Sequence, residues 1–232
     1  MREPIIAIDG PSGAGKSTLS KLLAAEFGYL NLDTGAMYRT VALAATRQGV
    51  ATDDGAALAR LCAEISITFQ RDGGGERVLL DGADVTTAIR TPQISQLTAV
   101  VAACPEVRAA MTAQQRKIAA AGGVVLEGRD IGTAVFPDAE VKFFLSASAA
   151  ERGRRRYNEL RDKGVAVDLA QTVREIEERD AADSARTHAP LVQAADAMVI
   201  DSSFLDIDAV LQVMVSEVER WRAHCDTAAP SS

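Results

Sequence analysis

One short stretch near the start of the chain, Gly10-Pro11-Ser12-Gly13-Ala14-Gly15-Lys16-Ser17-Thr18, limits the fold most severely. It matches G-x-x-x-x-G-K-[ST], a loop that cradles phosphates. Its flanks agree. Ile5-Ile6-Ala7-Ile8 before it is an apolar run suited to a buried parallel strand. After it, Leu19, Leu22, Leu23 and Phe27 recur at helical spacing. An ordinary glycine-rich turn needs neither flank. Glycine allows the backbone angles that turn successive N–H groups inward, and the following helix N-terminus adds its partial positive charge. Gly10 to Thr18 therefore read as the triphosphate cradle, with Lys16 reaching the β- and γ-phosphates and Ser17 offering its hydroxyl to Mg²⁺.

The rest of the chain alternates strands and helices, as a parallel α/β sheet requires. Tyr29-Leu30-Asn31-Leu32 reads as a second strand, and Asp33 or Thr34 caps a helix running to about Gln48. A further helix occupies 51–63. Ile65 to Gln70 then alternates with period 2, and Arg77-Val78-Leu79-Leu80 returns after Gly73-Gly74-Gly75. This antiparallel piece, at about 65–86, reads as an insertion into the parallel domain. Thr91-Pro92 and Pro105 open two more helices. Val124-Val125-Leu126 and Val141 to Leu145 read as buried strands, with Gly128-Arg129-Asp130-Ile131-Gly132-Thr133 leaving the first of them. There an Arg-Asp pair is either a structural ion pair or a substrate-binding pair. The next helix is basic (Arg152, Arg154, Arg155, Arg156, Arg161, Lys163). It is either a solvated face with local salt bridges or an arm that closes over phosphates. A helix through about Asp183 carries Arg179 and Asp183 on one face, with Arg186 just beyond. Ala197 to Ile200 and Ile207 to Trp221 supply a last strand and a closing helix. Val199-Ile200-Asp201 reads as a strand end and turn, and the tail at 226–232 as disordered.

Composition narrows the function. Net charge is −7, which argues against a general nucleic-acid binder. Two histidines and three scattered cysteines offer no zinc pattern and no disulfide framework, so the thiols read as free in a reducing cytoplasm. No apolar run approaches the roughly 20 residues of a membrane span. The guanine-reading Asn-Lys-x-Asp motif of GTPases does not occur. Instead Arg39, Arg108, Arg129, Arg179 and Arg186 each follow a segment directed at the sheet's ligand edge. Arginine forks match phosphate bidentately, so a second phosphorylated substrate facing the triphosphate would use such a lining. Phosphoryl transfer needs in-line placement, charge neutralisation and exclusion of water rather than covalent chemistry from the protein. The pattern points to a small-molecule kinase of the nucleoside monophosphate type. A nucleotide-gated switch protein is the alternative class.

Four separated motifs carry a closer likeness: Ile8 to Ser17, Asp33-Thr34-Gly35-Ala36-Met37-Tyr38-Arg39, Gly128 to Thr133, and Arg179…Asp183…Arg186 before Ala189-Pro190-Leu191. On these the chain resembles the bacterial cytidylate kinases over essentially its whole length. The resemblance implies a three-layer P-loop NTPase fold, with a parallel five-stranded core sheet, a small antiparallel insert in the monophosphate-binding region, and a short helical lid. The implied divisions are a core of 1–33, 104–151 and 187–225, a monophosphate-binding region of 34–103, and a lid of 152–186. It implies a cytoplasmic, monomeric enzyme that passes phosphate from ATP to CMP or dCMP with Mg²⁺, without nucleic acid or membrane. By the same resemblance Lys16, Arg129 and Arg152 serve catalysis. Arg39 and Arg129 hold the CMP phosphate, with Thr34 also at the substrate. Arg108 and Asp130, helped by Arg186, read the cytosine edge. Arg179 and Asp183 hold the ribose. The family often has a serine near the base where this chain has Ala99, with Thr98 and Gln96 as candidate substitutes.

Overall fold

The fold is described from a computed structural model covering residues 2–72, 75–162 and 164–227. Gly73 and Gly74 of the expected turn, Lys163 of the basic helix, and 228–232 of the expected tail lie outside the described residues. The chain divides into two compact units, 1–31 with 121–232, and 32–120. Residues 104–120, which the sequence reading assigned to the core, belong to the second unit, and 152–186 belongs to the first.

The central sheet has five strands: β1 (Ile5–Asp9), β2 (Leu30–Asp33), β6 (Val124–Glu127), β7 (Val141–Ser146) and β8 (Met198–Asp201), in the order β2-β6-β1-β7-β8. β1 pairs in parallel with both β6 and β7, and β7 with β8. Every residue of β1 and β6 is buried, which explains why these strands read as unbroken apolar runs rather than alternating ones. α1 (Lys16–Phe27) and α8 (Ile207–Thr227) pack together, and Leu19, Leu23, Met214 and Val218 join Ile6, Ile8, Phe143 and Leu145 in one core. α6 (Ala149–Asp162) packs on α7 (Leu169–Ser184) so closely that a Cβ on Gly153 would lie 2.3 Å from the Val173 side chain. α8 continues to Thr227, beyond both the closing helix ending at Trp221 and the start of the expected tail.

The second unit holds α2 (Thr34–Gln48), α3 (Gly55–Glu64), α4 (Pro92–Ala103) and α5 (Pro105–Ile118). Their starts follow the sequence: the side chains of Asp33, Asp54 and Thr91 accept from the N–H groups of Ala36, Ala57 and Ile94. α2 packs on α4 and α3 on α5, burying Met37, Val41, Leu58, Leu61, Ile94 and Met111. The antiparallel insert is present as β3 (Ile67–Asp72), β4 (Gly75–Leu80) and β5 (Ala83–Asp84), paired in that order.

Candidate active site

The P-loop turns sharply out of β1. Gly10 has φ +144°, and a Cβ there would sit 2.0 Å from the Leu145 carbonyl oxygen, so only glycine fits. Three loop carbonyls are taken up by protein donors. Pro11 O accepts from Lys16 Nζ at 2.7 Å, Ser12 O from Arg152 Nη1 at 3.1 Å, and Ala14 O from Ser202 Oγ at 3.3 Å. A trans peptide points its N–H opposite its carbonyl, so these bonds direct the following N–H groups of Ser12, Gly13 and Gly15 to the other side. Burial pulls the Lys16 ammonium down to about 7. Arg129 and Arg179 push it further down as neighbouring like charges, while Glu127 and Asp9 act against them.

Those four residues thus act on the P-loop lysine through their charges. Glu127 ends β6, beside Ile8 of β1. The next residues form a clasped loop: Gly128 N donates to Ile8 O at 2.9 Å, and the N–H groups of Ile131 and Gly132 donate to Asp9 Oδ1 and Oδ2 at 2.8 and 2.7 Å. A single π-helical turn, Ile131–Val135, follows, closed by Phe136 N to Ile131 O. Arg129 Nε donates to Asp183 Oδ2 at 2.9 Å, and Arg186 Nη2 donates to Asp183 Oδ1. Asp130 and Asp183 are both buried. Burial raises Asp9 to about 6, with the Asp130 charge adding to the rise and the two N–H donors and Lys16 opposing it.

The basic helix shows the solvated face with local salt bridges that is one of its two readings. Arg154 and Arg155 pair with Glu151, and Arg156 with Glu159, as a solvated face would. Arg152 differs. It is buried, with Nε on Ala147 O at 2.8 Å, Nη1 on the P-loop Ser12 carbonyl, and Nη2 on Asp180 Oδ2 at 2.6 Å.

In the second unit Thr34 is buried at the start of α2. Arg39 Nη2 lies 2.9 Å from Asp33 Oδ2, and its buried Nε has no hydrogen-bond partner among the described residues. Arg90 approaches the same carboxylate at 3.7 Å. Arg108 is buried, with Nη1 on Ala102 O and its guanidinium 5.6 Å above the Tyr38 ring. Ala99 and Gln96 are exposed, whereas Thr98 donates its hydroxyl to Ile94 O of its own helix.

Sequence reasoning left Asp9, Glu127 and Asp180 without roles. The signal for Glu127 was present: Val-Val-Leu-Glu is an apolar strand ending in an acid. Asp9 carries the same signal, closing Ile-Ile-Ala-Ile, whereas nothing local marks Asp180.

A divalent cation needs oxygen ligands. Ser17 stands exposed in the first turn of α1, its hydroxyl without a partner among the described residues. No group of three or more His, Cys, Asp or Glu able to hold a metal occurs among them. The Ser17 hydroxyl could give Mg²⁺ one oxygen ligand, the others coming from phosphates and water.

The chain matches the family model described as cytidylate kinase over residues 6–220. It is 60% identical to the cytidylate kinase of Syntrophotalea carbinolica over 225 residues, 97% of this chain and 96% of that one. Identity is 59% over 220 residues with the enzyme of that name from Geobacter sulfurreducens, 94% of each chain. With that of Citrifermentans bemidjiense it is 57% over 222 residues, 96% and 95% of the two chains.

Proposed function

The chain belongs to the cytidylate kinase family, and from that premise we propose that it transfers the γ-phosphoryl group of ATP to CMP or dCMP, giving ADP and CDP or dCDP. A CMP phosphate oxygen bonds to the γ-phosphorus as the bond to the β-γ bridging oxygen breaks. The attacking oxygen is already anionic, so no side chain has to remove a proton from it. Gly10 to Thr18 bind the triphosphate through backbone N–H groups. Lys16 neutralises charge on the transferring group; triphosphate beside it restores the charge that burial suppresses. Ser17 and the ATP phosphates hold Mg²⁺, which when bound screens the phosphate charges.

Arg129 and Arg39 take the CMP phosphate, with Thr34 beside it. Asp130 accepts from the cytosine amine, which uracil lacks, and Arg108 and Arg186 support that edge. Arg179 and Asp183 hold the ribose. Arg152 contributes to catalysis by exchanging Asp180 for a phosphoryl oxygen as the lid α6–α7 closes. The observation that supports this reading is the buried Asp183 carboxylate holding Arg129 on one oxygen and Arg186 on the other. It gathers two of the arginines assigned to the acceptor on one buried carboxylate. The protein acts in this reading as a monomer in the cytoplasm on small molecules alone. Among the described residues no helix is long and apolar enough to cross a membrane.

A panel of acceptors with ATP and Mg²⁺ tests the proposal. CMP and dCMP are expected to be phosphorylated with kcat/KM at least about tenfold above UMP and AMP. Turnover of UMP, AMP, shikimate or dephospho-coenzyme A well above CMP would overturn it. ATP binding with transfer to no acceptor would make the protein a nucleotide-gated switch.

A further inference from the structure

We propose that Asp9 is a positioning residue for phosphoryl transfer: it is the clasp by which the strand leading into the P-loop holds the Arg129–Asp130 loop in place for the acceptor. The inference rests on the roles given above to Arg129 and Asp130. Asp9 is the last residue of β1 and directly precedes Gly10, the first residue of the phosphate loop. Its two carboxylate oxygens are divided between two successive N–H groups, Ile131 at 2.8 Å and Gly132 at 2.7 Å. On the other side of the pair, Gly128 N is bound to Ile8 O at 2.9 Å. Arg129 and Asp130 are therefore bracketed, by the two residues that run into the P-loop. A shift of either loop is passed to the other through these three bonds.

The chemistry of the clasp favours a role beyond structure. A carboxylate offers one acceptor to each N–H and no donor; an asparagine would turn its NH₂ against one of them. Asp9 keeps this arrangement although it is buried and near the buried Asp130, with Lys16 as the nearby counter-charge. A buried carboxylate with a second buried carboxylate acting on it as a like charge is costly for a fold. A neutral side chain would tie one strand end to a loop with less penalty. The approach is also tight. A Cβ on Gly132 would lie 3.2 Å from Lys142 Cδ and 3.4 Å from Asp9 Oδ2, so glycine lets the turn come down onto the carboxylate.

The test is Asp9→Asn, assayed with CMP and UMP at saturating ATP. KM for CMP should rise about 10- to 100-fold, the scale of a misplaced binding group, while KM for ATP stays within about threefold. The preference for CMP over UMP should fall. In an Asp130→Asn background, Asp9→Asn should lower that preference no further, since both act through one contact. Gly132→Ala, which crowds the clasp from the opposite side, should move KM for CMP in the same direction by less, and it decides the matter if Asp9→Asn does not fold. Wild-type KM for CMP in the variant that folds would overturn the proposal. So would equal losses for CMP, UMP and ATP accompanied by a lowered melting temperature. If Asp130→Asn alone leaves the CMP preference unchanged, the reading of Asp130 fails, and the rise in KM for CMP still decides Asp9.

Discussion

Asp33 and Asp183 perform the same service in different settings, and the difference separates stability from function. Each carboxylate gathers two arginines: Asp33 has Arg39 and Arg90, and Asp183 has Arg129 and Arg186. Asp33 is also the N-cap of α2, accepting from Ala36 N at 2.8 Å, and its side chain is 12% exposed. If Arg39 turns to an anion, Asp33 keeps that backbone partner. Asp183 lies inside α7 and is 4% exposed, with one arginine on each oxygen. In the proposed function, drawing Arg129 to a phosphate would free Oδ2 to accept from a ribose hydroxyl. One carboxylate keeps a helix start in order whatever is bound. The other holds two arginines on a buried side chain and, in the proposed function, takes part in binding when substrate arrives.

The larger expected effect is at Asp183. Asp183→Asn removes the charge that holds both arginines, each bond being worth about 1.5–3 kcal/mol. The kcat/KM for CMP should fall roughly 10- to 100-fold, chiefly through KM, in steady-state assays. A loss confined to unfolding stability would place Asp183 with Asp33. The smaller effect is at Asp33. Asp33→Ala deletes the cap, and urea unfolding should show about 1–2 kcal/mol less stability. The accompanying loss in kcat/KM for CMP should stay under about tenfold. Should the two variants lose efficiency equally, the distinction drawn between them is wrong.

What the sequence disclosed follows from the range over which each feature is determined. The P-loop, its flanking strand and helix, the helix starts at Asp33 and Thr91, and the antiparallel insert depend on a few neighbouring residues. Periodicity and cap chemistry report these directly. The pairings that give the site its shape span much longer intervals. Arg129 meets Asp183 across 54 positions, and Asp9 meets Gly132 across 123. They exist only once the sheet has brought β1 beside β6. The π-helical turn at Ile131–Val135 has no pattern of its own; its start is held by Asp9. Sequence spacing puts Asp183 on a helix face with Arg179, as α7 does, but does not disclose its bonds to Arg129 and Arg186. Composition alone does not tell the buried Arg152 from its solvated neighbours Arg154 and Arg156, since all belong to one basic run; the family resemblance singled it out, and tertiary packing on α7 is what separates them.

The central claim is that Lys16 supplies charge to the transferring phosphoryl group while a separate arginine and aspartate set receives CMP. Lys16→Ala tests it most directly, with CMP affinity measured by calorimetry and transfer measured in single turnover on the same preparation. The account predicts CMP affinity within about threefold of wild type and transfer slowed by roughly 10²- to 10³-fold. A variant that loses CMP affinity in proportion to its loss of transfer would contradict it, because Lys16 would then belong to the acceptor.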